Sequence, residues 1–115
     1  MKLSNSRYLF LRFGRWLKCF YKDTKFYFRH GFKRKEVWNL NTYVAKWILP
    51  RLKYFRANLH GFPQGLTFEE WTKILDKIII AFELELKEDG WTTREEFERK
   101  RGLRLFSDYF SALWD

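Results

Sequence analysis

Eleven lysines and arginines stand in residues 1–35 against a single acid, Asp23, and aromatic rings are interleaved with them. Phosphate chemistry asks for that mixture: cations neutralise phosphates and release counterions, while Tyr, Trp and Phe offer planar faces to bases. The candidate ligand-binding residues are Arg12, Arg15, Lys18, Lys22, Lys25 and Arg29 with Tyr8 and Tyr21, joined by Lys33, Arg34, Lys35, Arg51 and Arg56. The pattern is not specific in the way a paired Cys-x-x-Cys site is. A charged helix face can equally be a solvated one, with the aromatics packed into a core.

Other chemistry is sparse. His30 and His60 have no second metal ligand three or four residues away, so both are expected at turns and no metal or cofactor is expected. Neither a Gly-x-Ser-x-Gly elbow nor a phosphate-binding glycine loop occurs. Asp76 and Glu83 lie seven apart on one helical pattern and could face a common cleft, but most carboxylates fall at helix starts, where they offset the positive end of the dipole. The expectation is a binding protein, not an enzyme. Cys19 is the only cysteine, so no disulfide framework exists; it is expected to be a small buried hydrophobe in a reducing compartment.

Charge and composition set the frame. The net charge of +9 divides as +10 over residues 1–35, +3 over 36–60 and −4 over 61–115. A basic front on an acidic back points to an anionic partner: nucleic acid, a nucleotide, a membrane surface or an acidic protein. In 115 residues with 22% aromatics and two prolines, one domain rich in core material is expected.

The elements that must position these residues read as helices throughout. From Arg7 to His30, at 100° per residue, Arg7, Arg15, Lys18, Lys22, Lys25 and Arg29 share an arc of about 80°. Leu9, Phe13, Trp16, Leu17 and Phe20 gather opposite. Residues 1–6 are expected to be loose, Gly14 to weaken or bend this helix, and residues 24–30 suit helix or strand, with helix favoured because the basic stripe continues. Arg12, Arg15, Lys18 and Lys22 interrupt every window that could span a bilayer, and neither a clean apolar core nor a cleavage site marks a signal peptide. An interfacial helix, aromatics in the lipid boundary and cations on headgroups, is a physical alternative to core packing.

Gly31 is expected to end this helix, and residues 33–39 to form a helical turn. The organising helix spans 37–59, capped by Asn41, with Val44, Ile48, Leu52, Phe55 and Leu59 on one stripe and a kink at Pro50 that frees the carbonyl of Lys46 beside Arg51. After the turn His60–Gly65, Thr67 and Glu70 form a capping box with Leu66 and Trp71 as its staple. The helix that follows is apolar on both sides, Ile80 and Leu84 lying away from the main face, which suggests a second interface such as a homo-oligomer. Thr92 or Thr93 opens the last helix, with Phe97, Phe106, Phe110 and Leu113 on its apolar side and Gly102 dividing it. The fold class is therefore all-α, a bundle of four to five helices in one domain.

Trp38-Asn39-Leu40-Asn41, Ala45-Lys46, Pro50-Arg51-Leu52-Lys53, Phe55-Arg56, Gly61-Phe62-Pro63, Glu70-Trp71, Ile74-Leu75-Asp76-Lys77 and Phe110-Ser111-Ala112-Leu113-Trp114 carry a resemblance. This set resembles a family of small proteins encoded by tailed bacteriophages, mostly without assigned function. It covers Arg29 to the C-terminus. The chain departs from the family at Lys33, Arg34 and Lys35, where relatives tend to be acidic after the Gly-Phe pair. The resemblance implies phage origin, a helical fold and action in the cytoplasm of the infected bacterium, and it brings no catalytic residues. Together with the charge pattern it suggests an accessory, counter-defence role: sequestering a nucleic acid or nucleotide signal, or alternatively inhibiting a host protein by direct contact.

Overall fold

The structure, a computed structural model, describes the backbone of residues 2–114 and the side chains of Leu9 and residues 11–114. Among these, five α-helices and one 3-10 turn follow one another: α1 (Lys2–His30), α2 (Lys35–Trp38), α3 (Leu40–Ala57), α4 (Phe68–Glu85), α5 (Thr93–Asp108) and the turn Phe110–Ala112. The chain is all-α, as its periodicity predicts. Its contacts group into two units, residues 1–40 and 41–115.

Unit 2 is built on α4. Thr67 accepts from the Glu70 backbone N–H at 3.1 Å, and the Glu70 carboxylate accepts from the Thr67 N–H at 3.3 Å, so both bonds of the predicted box are present. Trp71, Leu75 and Ile78 are fully buried and form one cluster with Ala45 and Leu52 of α3, Ile79 and Phe82. Ile48, Leu49, Phe55 and Leu59 pack around that cluster. The buried side of α3 thus centres on Ala45 and Leu52. Val44, expected in the stripe, is exposed, because a fully buried alanine turns the helix slightly from the line drawn through the larger residues.

Asn41 lies inside the first turn of α3 and does not cap it; its side-chain amide donates to Glu85 at 3.4 Å. The helix continues through Pro50. Arg51 turns back to the carbonyl of Trp47 at 2.6 Å and lies 4.2 Å over the Trp47 ring, so it does not join the Lys46 carbonyl in a pocket.

At α5, Thr92 is the cap, with the Glu95 N–H donating to its hydroxyl at 3.2 Å. Gly102 does not divide the helix. It is buried where α5 crosses α4, and a Cβ built there would overlap the Ala81 methyl and the carbonyl oxygen of Lys77. Phe97 and Phe110 are exposed rather than core-facing, since the Gly102 crossing turns Leu103, Leu105, Phe106 and Tyr109 toward the cluster. Ile80 is exposed and Leu84 half-buried.

Unit 1 is α1 with the segment that returns beside its C-terminal end. The helix is continuous through Gly14 and through residues 24–30, and it already includes residues 2–6, expected to be loose. Gly31, at φ +80°, ends it by donating to the Tyr27 carbonyl, a backbone conformation that a side chain rarely adopts.

Candidate functional site

Helical geometry sorts α1 into two faces. Arg15, Lys18, Lys22, Lys25 and Arg29 occupy one arc, and Arg12 sits on the flank; all six are exposed. Among the described residues none of them is ion-paired, whereas in unit 2 six cations hold carboxylates: Lys53, Arg56, Lys87, Arg94, Arg99 and Lys100. Tyr21 is exposed outside the basic arc, and the side chain of Tyr8 lies outside the described residues.

The opposite face was expected to be core, and it is not. Phe13, Trp16 and Phe20 are 56%, 57% and 58% exposed. Phe13 stacks on Trp16 with centroids 6.0 Å apart, and Trp16 on Phe20 at 5.5 Å, giving a continuous aromatic ridge in solvent. The spacing of three and four residues was visible in the sequence, but it defines a face without saying what covers it. Cys19, expected to be buried, is exposed as well.

Beyond Gly31 the chain brings Lys33, Arg34 and Lys35 beside the end of the ridge. Together with Phe20, Asp23, Thr24 and Tyr27 they line an open groove of about 440 Å³. Arg34 lies 5.3 Å over the ring of Phe26, which meets Phe32 edge-on at 5.5 Å. The Lys33 N–H donates to the Glu36 carboxylate at 3.0 Å, fixing the turn that presents the three cations. His30 sits against Phe26 at 4.3 Å, closing α1.

The remaining expected site residues lie in unit 2. Arg56 donates to Asp76 at 2.9 and 3.4 Å, and this hydrogen bond, followed by the charge of Asp76, raises its pKa above the ordinary arginine value. It ties α3 to α4. Lys53 similarly meets Glu83 at 3.2 Å, so Asp76 and Glu83 each hold a different α3 cation and do not form a pair. Arg51 belongs to the outer face of α3, between exposed Trp47 and Tyr54, a stripe that the sequence reading did not single out.

A second cavity, of about 260 Å³, is lined mainly by Phe55, Phe62, Pro63, Trp71 and Trp114 with His60. Among the described residues no group of three or more His, Cys, Asp or Glu could hold a metal ion, and no helix is long and apolar enough to cross a membrane. No family model matches the chain, and no curated protein or solved structure is significantly similar to it.

Proposed function

We propose that the protein is a binding protein whose unit 1 recognises a phosphate-bearing partner through α1 and the Lys33–Lys35 turn. One observation carries this reading: the cations of α1 are exposed and without carboxylate partners, while six of those in unit 2 are paired. Clustered cations repel one another, and an anionic partner relieves that repulsion. The setting we propose, the cytoplasm of a phage-infected bacterium, rests on the sequence resemblance alone, as does an accessory or counter-defence role.

Binding of labelled nucleic acid, nucleotides and anionic vesicles at about 0.1 M salt tests the reading. Replacing Lys18 and Lys22 by Gln is expected to weaken binding. On a DNA duplex it should flatten the log–log salt dependence by roughly two, at about 0.9 per phosphate contact. A wild-type protein that binds none of these probes overturns the proposal.

The outer face of α3 supports a second reading, direct contact with a protein. Trp47 and Tyr54 are 61% and 73% exposed and flank Arg51, the mixture of residue types enriched in the anchors of protein interfaces. Under that reading, replacing Trp47 by Ala abolishes capture of the target while Lys18→Gln leaves it intact.

A further inference from the structure

Resting on the phosphate-binding reading of unit 1, we propose that the partner of α1 is an anionic lipid bilayer, on whose surface the helix lies with its aromatic ridge in the headgroup–acyl boundary.

Two features of the geometry point to a bilayer rather than to a nucleic acid. The first is the separation of the faces. A strand whose bases stack on aromatics while its phosphates meet cations needs both on one surface. On α1 the middle of the basic arc lies roughly 170° from the middle of the ridge. A nucleic acid held by the arc of Arg15, Lys18, Lys22, Lys25 and Arg29 would therefore leave Phe13 and Trp16 in water. A bilayer engages both faces: large apolar rings enter the boundary, and Lys and Arg extend along its surface toward headgroup phosphates.

The second is where cations meet apolar surface. Arg12 borders the ridge on α1, and Lys33, Arg34 and Lys35 line one groove with Phe20 and Tyr27, three cations against the single acid Asp23. Cations beside apolar rings match a lipid, whose headgroup phosphate and acyl chain are covalently joined. Charge complementarity agrees, because residues 1–35 carry +10 and the cytoplasmic leaflet of membranes is negatively charged. The helix does not have to cross the bilayer, and its apolar content is too low for that. Trp16 is also the residue type that prefers the interfacial depth.

The test is flotation of the full chain with vesicles of phosphatidylcholine alone, or with about one third phosphatidylglycerol. An environment-sensitive dye on Cys19, the only cysteine and exposed, reports the polarity around α1. The expected result is binding to the anionic vesicles only, with a blue shift of the dye. The double variant Trp16→Ser, Phe20→Ser keeps every charge and leaves the core of unit 2 intact. It should bind vesicles about a hundred-fold more weakly, as expected for two large side chains that no longer leave water. Circular dichroism of the variant confirms that its helices form. Equal vesicle binding by wild type and variant overturns the inference, since the ridge then takes no part. Binding to duplex or single-stranded nucleic acid but not to vesicles also overturns it and leaves the phosphate-binding reading standing. Binding to neither overturns both.

Discussion

Replacing Gly102 by Ala pits two effects of opposite sign against each other. At an exposed helical position the change would stabilise the helix by about 1 kcal/mol, because glycine gives up more backbone freedom on folding. Gly102 is buried at the α4–α5 crossing, and its new methyl would overlap the Ala81 methyl and the Lys77 carbonyl oxygen, with the Lys77 carbonyl carbon at 3.3 Å. Neither obstacle is the end of a flexible side chain. One is backbone and the other is fixed rigidly to it, so α5 must move away from α4 and loosen the contacts of Leu103 and Phe106 with the cluster.

Overpacking costs about 1–3 kcal/mol, and two overlaps with rigid atoms place this site in the upper part of that range, about 2–3 kcal/mol, above the propensity gain. The net expectation is a loss of about 1–2 kcal/mol, or a fall in Tm of roughly 5–15 °C for a unit of this size. Urea unfolding followed by tryptophan fluorescence measures it, because Trp71 is buried and reports on the core. Adding Ala81→Gly should recover only part of the loss, since the Lys77 carbonyl remains. The control is Gly14→Ala on α1, where nothing lies within 4 Å of the added methyl and helicity should rise. If Gly102→Ala is as stable as wild type, α4 and α5 do not approach as described.

Two further predictions concern the caps. Thr67→Ala removes the acceptor for the Glu70 N–H and should cost about 1 kcal/mol, measured by the same unfolding experiment. Glu95 is held at a pKa of about 2, below its ordinary 4.5, first by hydrogen bonds from the Lys87 ammonium, then by the Thr92 N–H. A carboxylate with a lowered folded-state pKa contributes stability that is present above about 4.5 and lost as the pH falls toward about 2. Glu95→Gln should therefore be less stable than wild type near neutrality and approach it at about pH 2; a difference that does not change with pH refutes the assignment.

What could be read from the sequence was set by short-range chemistry. The Thr67–Glu70 and Thr92–Glu95 boxes, the Gly31 terminus and the helical state of residues 24–30 depend on neighbours within four positions, and all are present. Gly102 shows the limit. A local rule reads glycine as a break, whereas a close crossing of two helices selects it for its missing side chain, and the partner atoms at Lys77 and Ala81 are more than twenty positions away. The same limit applies to α3, where a buried Ala45 shifts the core face and leaves Val44 and Trp47 in solvent. On α1 the pattern correctly separated cations from aromatics. Amphipathicity alone could not distinguish a face that packs on a core from one that meets a partner, so for Phe13, Trp16 and Phe20 the sequence favoured core packing and left an interfacial helix open.

The two units differ in what holds their helices, and the difference is measurable. In unit 2, α4 and α5 each carry a capping box and share ion pairs, including Arg99 on Glu85 at 2.8 Å with the guanidinium 4.2 Å over Trp91. On α1 there is no acid in the first turn, and Lys18–Lys22 and Lys25–Arg29 place like charges four residues apart, an arrangement that weakens a helix. Most helical stability in proteins comes from burying an amphipathic face, and the ridge of α1 is exposed. Protection of α1 should therefore respond to anions while that of α4 does not. Lowering the salt from about 0.15 to 0.01 M lengthens the screening distance from about 8 to 30 Å and should speed amide exchange over residues 11–30. Adding the phosphate-bearing partner should slow it well beyond the effect of salt, because the partner both neutralises the cations and covers the helix. Exchange over residues 11–30 that is as slow as that of α4 at low salt, and unchanged by the partner, would mean that burial rather than an anion holds α1.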